Sequence, residues 1–176
     1  MTLRIVELDA PHDCKAFKCS ENSLTSWFRL HARTSAELNA TKVFVAVDDG
    51  EPTRVLGYYA FVMGEIRLEE LPDDIPDCAV PDGGHPLGVV LLARFATDKR
   101  YEGRQVGAKM LHDLLLRTAD LGDRIGCRGL EVDALTQNAQ GFYLHNYPEF
   151  VVLRDSSLHL FLPMETIREV RSLVGG

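Results

Sequence analysis

Between Gly88 and Leu135 the chain runs from an apolar strand through a polar loop and a long amphipathic helix to a second strand. This unit limits the fold more than any other feature. "GVVLLARFAT" (Gly88 to Thr97) is almost continuously apolar, the pattern of a strand covered on both faces and therefore central in a sheet. The loop "DKRYEGR" follows. From Gln105 onward, Val106, Met110, Leu114, Leu115, Thr118 and Leu121 recur at helical spacing, with Gly122 as the stop. "RGLEVDAL" (Arg128 to Leu135) is the next strand. A strand, helix, strand unit of this length predicts a parallel, right-handed crossover.

The flanking segments supply the rest of a sheet. "LRIVEL" (Leu3 to Leu8) alternates, and Asp13 to Asn22 reads as a polar connection. Leu24, Trp27, Phe28, His31 and Ala32 form one helical stripe, with Ser20 or Ser23 as its N-cap. "KVFVAV" (Lys42 to Val47) and the long strand from Arg54 to Leu68 form a hairpin across "DDGEP". Leu71 to Leu87 is a long loop holding Pro72, Pro76, Pro81 and Pro86. Thr136 caps a short helix, "TQNAQGFYLHN", and "FVVL" and "LHLFLPME" close the chain as strands, leaving 168–176 as a frayed tail. The order predicts one α/β domain over residues 1–176, with helices packed on a central sheet.

Hydrophobic residues at 45% support a real core, and no apolar run approaches a membrane span. No signal-peptide pattern opens the chain, so a cytoplasmic protein is expected. Cys14, Cys19, Cys78 and Cys127 lack zinc-site spacing, so neither a metal nor a disulfide is expected. The net charge of -7 argues against broad nucleic-acid binding. Six of those charges lie between Glu65 and Asp82, while Lys99, Arg100, Arg104 and Lys109 cluster at the glycine-containing loop. A local basic face is therefore compatible with an acidic chain.

"RYEGRQVGAKML" (Arg100 to Leu111) joins a central strand to a helix start, where unpaired N–H groups and the positive dipole end bind phosphate. It is neither a P-loop nor a dinucleotide fingerprint. On the residues alone, Gly103 and Gly107 fit either a phosphate cradle or a turn glycine plus a helix-packing glycine.

The wider stretch "ARFATDKRYEGRQVGAKMLHDLL" resembles the acetyl-coenzyme A motif of the GNAT superfamily, Gln/Arg-x-x-Gly-x-Gly/Ala. Here Glu102 holds the first place and Gln105 the first glycine place, while Gly107 matches the second. Together with "FKCSENSLTSWF", "VLGYYAF", "DALTQNAQGFYLHNYPEF" and "HLFLPMETI", it is similar to the GNAT-type toxins of bacterial toxin–antitoxin modules, from about Leu3 to Ile167.

The resemblance implies a mostly antiparallel mixed sheet of about seven strands with helices on both faces. It implies an acetyl-coenzyme A-dependent N-acetyltransferase acting on the α-amino group of aminoacyl-tRNA. Phe95, Ala96 and Thr97 would hold the pantetheine arm and thioester. The backbone of Gly103, Arg104, Gln105, Val106, Gly107 and Ala108 would hold the diphosphate, a glutamine at 105 being tolerable there only if its φ is negative. Tyr143 matches the catalytic tyrosine, with Tyr147 in reserve, and Asn138 and Phe142 would line the coenzyme arm. Arg29 and Arg33 would join the basic cluster in meeting phosphate. His85, His112, His145 and Glu131 are the candidate bases. A ribbon–helix–helix antitoxin and a homodimer also go with the family. Two alternatives stay open: an N-acetyltransferase for a small amine, antibiotic or protein lysine, and a non-enzymatic module with a decayed coenzyme site.

Overall fold

Strand and helix signals resolve into seven strands and five helices in the computed structural model, which describes residues 1–75 and 85–174. The strands are β1 (Leu3–Glu7), β2 (Lys42–Asp48), β3 (Gly57–Ile66), β4 (Leu87–Thr97), β5 (Gly129–Asp133), β6 (Val151–Val152) and β7 (His159–Pro163). The helices are α1 (Asn22–Leu30), α2 (Ala32–Glu37), α3 (Val106–Gly122), α4 (Gln137–Asn146) and α5 (Met164–Val174). The sheet order is β1-β2-β3-β4-β5-β7-β6, which makes β4 the middle strand, as its apolar run predicts. β4 and β5 pair in parallel, with Val90 opposite Leu130, and the β1–β2, β2–β3, β5–β7 and β6–β7 pairs are antiparallel. Pro76, Pro81, Cys78, Asp77 and Asp82 of the expected long loop lie outside the described residues.

The chain forms two compact units, residues 1–62 with 93–113 and residues 63–92 with 114 onward. In the first, Phe17, Phe28 and Tyr58 form an aromatic cluster, with Phe28 stacked on Tyr58 at 4.2 Å between ring centroids. The Tyr58 hydroxyl donates to the Leu24 carbonyl at 2.8 Å, so this buried ring keeps its polar end satisfied. The segment read as a polar connection contributes Cys14, Phe17 and Cys19 to that core.

The expected single helix is two. α1 closes at His31, whose N–H donates to the Trp27 carbonyl, and α2 begins one residue later. Each piece is fastened separately: Arg29 Nε donates to the Phe17 carbonyl and Arg33 Nη2 to the His12 carbonyl. Neither serine caps α1. Its N-cap is Glu21 without a side-chain bond, and the Ser20 hydroxyl instead donates to Glu102 Oε1 at 2.9 Å. β3 begins three residues later than expected, because Arg54 closes a turn on the Glu51 carbonyl and the chain reaches β2 only at Leu56, whose N–H donates to the Ala46 carbonyl.

In the second unit β5 packs closely on β7. A Cβ at Gly129, where φ is +154°, would lie 2.1 Å from the Leu162 carbonyl oxygen, so only glycine fits. Gly122 is the last residue of α3 rather than a left-handed stop, and a Cβ there would meet the flexible end of Met164. The expected frayed tail is helical to residue 174. Met164 and Ile167 anchor α5 in the core, and Arg171 Nη1 reaches Asp123 Oδ2 at 2.6 Å. Among the described residues no helix is long and apolar enough to cross a membrane.

Candidate active site

The loop after β4 is built around a buried carboxylate. Asp98 is fully enclosed, and its oxygens accept from Lys18 N–H (3.0 Å), Arg100 N–H (3.0 Å), Arg100 Nε (2.8 Å) and Arg100 Nη2 (2.9 Å). Burial pushes the carboxyl toward neutrality, but these bonds outweigh it and hold its pKa below the ordinary value. Lys99 N–H donates to the Lys18 carbonyl at 2.9 Å, so the end of β4 is sewn to the segment preceding α1. Arg100, expected to face a ligand phosphate, is thus committed to Asp98. Arg104 lies over the Tyr101 ring at 5.5 Å, and Lys99, Arg104 and Lys109 are exposed.

Beyond this clamp the backbone turns sharply. Gly103 has φ +73° and Gln105 has φ +62°, with Arg104 between them outside the positive region. Alternation of this kind turns N–H groups toward one concavity, an anion-binding nest, although here the Arg104 N–H is already donated to the Tyr101 carbonyl at 3.3 Å. Bonding along the helix starts only with Lys109 N–H to the Gln105 carbonyl, so the amides of Val106, Gly107 and Ala108 precede the ladder. No acidic residue occupies the first turn of α3, and a Cβ at Gly103 would meet nothing within 4 Å. This donor set suits a diphosphate. Glu102, which departs from the family pattern, has its carboxylate engaged by Ser20.

The expectation of a negative φ at Gln105 is overturned. At φ +62° the glutamine lies in the range of the narrow left-handed well open to ordinary residues. That conformation costs about 1–2 kcal/mol relative to the right-handed one. Gln105→Gly should therefore change unfolding free energy by less than about 1 kcal/mol, the relief being offset by glycine's freedom in the unfolded chain. Gln105→Val should be destabilised, because a β-branched residue fits the left-handed well poorly. Urea titrations of the two variants check this, and equal stabilities would contradict it.

Phe95, Ala96 and Thr97 end β4 directly before the clamp. Ala96 is buried, and its neighbours are half-buried. These three residues and Gly103 to Ala108 come together in the first unit. Asn138, Phe142 and Tyr143 share α4 in the second unit. The expected cap is present: Thr136 Oγ1 accepts from Ala139 N–H at 3.1 Å. Asn138 is exposed and stands one turn before half-buried Phe142 on the same stripe. Tyr143 is buried at 5% exposure and packs edge-on against Phe142 and Phe150. Burial drives its phenol far above the ordinary range, so it stays protonated at any working pH. Tyr147 is half-buried at the end of α4, its phenol also raised by burial and then by Glu149.

Among the candidate bases, His85 and His145 are exposed and His112 is half-buried. Glu131 is buried on β5, where Nε2 of His159 lies 2.5 Å from its Oε1, and Nδ1 of the same ring lies 2.8 Å from Asp155 Oδ2. Burial raises the Glu131 pKa against the opposing pull of His159. For His159, burial lowers the pKa, but the two carboxylates together outweigh it and the net shift is upward. A histidine raised in the folded state contributes stability that is complete below about pH 6.5 and is lost as pH rises through the folded value. The gap in urea midpoint between the native chain and His159→Gln should therefore shrink from pH 6 to pH 9. A gap independent of pH would refute the assignment. Among the described residues no group of side chains is placed to hold a metal ion.

Sequence reasoning missed Asp98, Asp155, His159 and the pair Trp27 and Arg94. Lys18 for Asp98, Glu131 for His159 and Arg94 for Trp27 are partners remote in the chain, and residue type alone carries no sign of them.

No family model matches the chain. It is 32% identical over 163 residues to a protein of Mycobacterium tuberculosis (strain ATCC 25618 / H37Rv) described as "tRNA-acetylating toxin", covering 93% of this chain and 91% of that one. It is 28% identical over 174 residues to a Sinorhizobium fredii (strain NBRC 101917 / NGR234) protein described as "Probable toxin TacT", covering 95% and 94%. A crystal structure of a tyrosine-to-phenylalanine mutant of KacT superposes with a TM-score of 0.86 at 25% identity, covering 97% of this chain and 99% of that one. Sequence likeness along nearly the whole length, on the matching fold, shows that the chain belongs to the GNAT-fold tRNA-acetylating toxins, acetyltransferases of bacterial toxin–antitoxin modules.

Proposed function

We propose that this chain transfers the acetyl group of acetyl-coenzyme A to the α-amino group of an aminoacyl-tRNA and so blocks translation. The observation that carries the reading is the pair of positive-φ residues, Gly103 and Gln105, before the open amides at the start of α3, in a chain akin to a tRNA-acetylating toxin. In this reading the N–H groups of Gly103 and of Gln105 to Ala108 hold the diphosphate, the Arg104 N–H being given to the Tyr101 carbonyl, and the Arg104 side chain adds a charge-assisted contact. The backbone of Phe95, Ala96 and Thr97 orients the pantetheine arm, and Asn138 and Phe142 line it.

The coenzyme supplies a thioester activated for attack. Direct transfer needs position and a proton more than an enzyme nucleophile. The amine nitrogen forms the new bond to the acetyl carbonyl carbon, and the carbon–sulfur bond breaks. Tyr143 gives its phenolic proton to the departing sulfur and is reprotonated as the acceptor nitrogen releases one proton to solvent. An α-amino group has a pKa near 8, well below that of lysine, so enough of it is neutral without a strong base.

A small ribbon–helix–helix antitoxin, a homodimer and a cytoplasmic location accompany this reading. Induced expression should halt growth and incorporation of labelled amino acids within minutes, and co-expression of the antitoxin should restore both. Unimpaired incorporation at a confirmed protein level would exclude the toxin reading. Turnover of polyamines or lysine peptides alone would favour the small-amine alternative.

A further inference from the structure

We infer that Arg94, held against Trp27, is an anchor for a phosphodiester of the acceptor RNA strand; this rests on the aminoacyl-tRNA reading above. The Arg94 guanidinium lies 5.4 Å from the centre of the Trp27 ring, and Trp27 is itself stacked on Tyr58 at 5.9 Å. Both side chains are half-buried. Nη1 of Arg94 donates to the Ala93 carbonyl at 2.7 Å, and Arg94 makes no ion pair among the described residues.

The other arginines of this unit near α1 and the loop are differently employed. Arg29 and Arg33 hold backbone carbonyls, Arg100 holds Asp98, and Arg104, over the Tyr101 ring beside the helix start, is assigned to the coenzyme. Arg94 keeps Nε and Nη2 without an acceptor, and the Trp27 indole N–H is likewise unengaged. Among the described residues no fully buried side-chain nitrogen lacks a partner, so these donors are open to solvent and to a ligand. The Trp27 ring and the Ala93 carbonyl hold the guanidinium in place, which lowers the entropy lost when it grips an anion.

Position assigns that anion to the acceptor rather than the coenzyme. The nest lies beyond the C-terminal end of β4, whereas Arg94 is three residues inside the strand, about 10 Å back from Thr97. Side chains alternate along a strand, so Arg94 also faces away from Phe95. An arginine backed by an aromatic ring matches the way single-stranded RNA ends are held, by phosphate contact and stacking.

The test measures affinity of the purified chain for deacylated tRNA between 50 and 200 mM salt, with acetyl-coenzyme A affinity by calorimetry alongside. Arg94→Met keeps the apolar stem over Trp27. It should weaken tRNA binding about tenfold or more at low salt and reduce the salt slope by about one phosphate. Arg94→Lys should restore the slope but not the full affinity. Trp27→Phe should weaken binding without altering the slope. Acetyl-coenzyme A affinity should stay within twofold in all three. An unchanged slope in Arg94→Met overturns the inference, as does a parallel loss of coenzyme affinity. Failure of the unmodified chain to bind or acetylate aminoacyl-tRNA overturns the acceptor reading as well, so the two failures are distinguishable.

Discussion

Tyr143→Phe is expected to lower kcat for acetyl transfer by about 100- to 1000-fold while leaving the affinity for acetyl-coenzyme A within twofold. The magnitude is that of removing a positioned proton donor. Its sign follows from the geometry of α4. Tyr143 is buried among Phe142 and Phe150, and that burial keeps its proton in place across the working range. Phenylalanine keeps the ring and therefore the packing, so thermal stability should change little. A kcat within threefold of the unmodified enzyme would show that the leaving sulfur is protonated from elsewhere. In that case Tyr147→Phe should carry the loss.

Asp98→Asn is expected to cost about 2–4 kcal/mol of unfolding free energy and to weaken acetyl-coenzyme A binding at least tenfold. Removing one partner of a buried ion pair costs roughly 3–5 kcal/mol, and the partial exposure of Arg100 lowers that figure. The binding loss follows because Asp98 holds both Lys18 and Arg100 and so fixes where the loop enters the nest. The pH dependence has a definite sign. A carboxylate with a depressed pKa contributes stability that is present above about pH 4 and is lost as pH falls through the folded value. The difference between the native chain and Asp98→Asn should therefore narrow on acidification below pH 4. Coenzyme binding that survives in the folded variant would show that the clamp supports stability alone.

The β4, α3, β5 unit was legible because its signals are local. A continuous apolar run marks a central strand, and Val106, Met110 and Leu114 mark one helical face. Thr136 was legible as a cap because its partner lies three residues away. The break at His31 was not, because the stripe of Leu24, Trp27, Phe28 and Ala32 continues through it while contacts to remote carbonyls divide the helix. The same holds for Asp98, whose partner Lys18 is 80 residues distant. α5 is written in the spacing of Met164, Ile167 and Val170, but Met164 continues the preceding apolar strand and Val170 falls in the segment expected to fray. Gln105 is the sharpest case. Residue type argues for a negative φ, whereas the fold holds Gln105 at φ +62°.

The central claim is tested most directly by incubating the purified chain with labelled acetyl-coenzyme A and total aminoacyl-tRNA, then releasing the amino acids with mild base. The account predicts label in N-acetyl amino acids released from tRNA, and none when the tRNA is deacylated beforehand. Label confined to free amines or lysine side chains, or no transfer by a folded protein that binds the coenzyme, would contradict it.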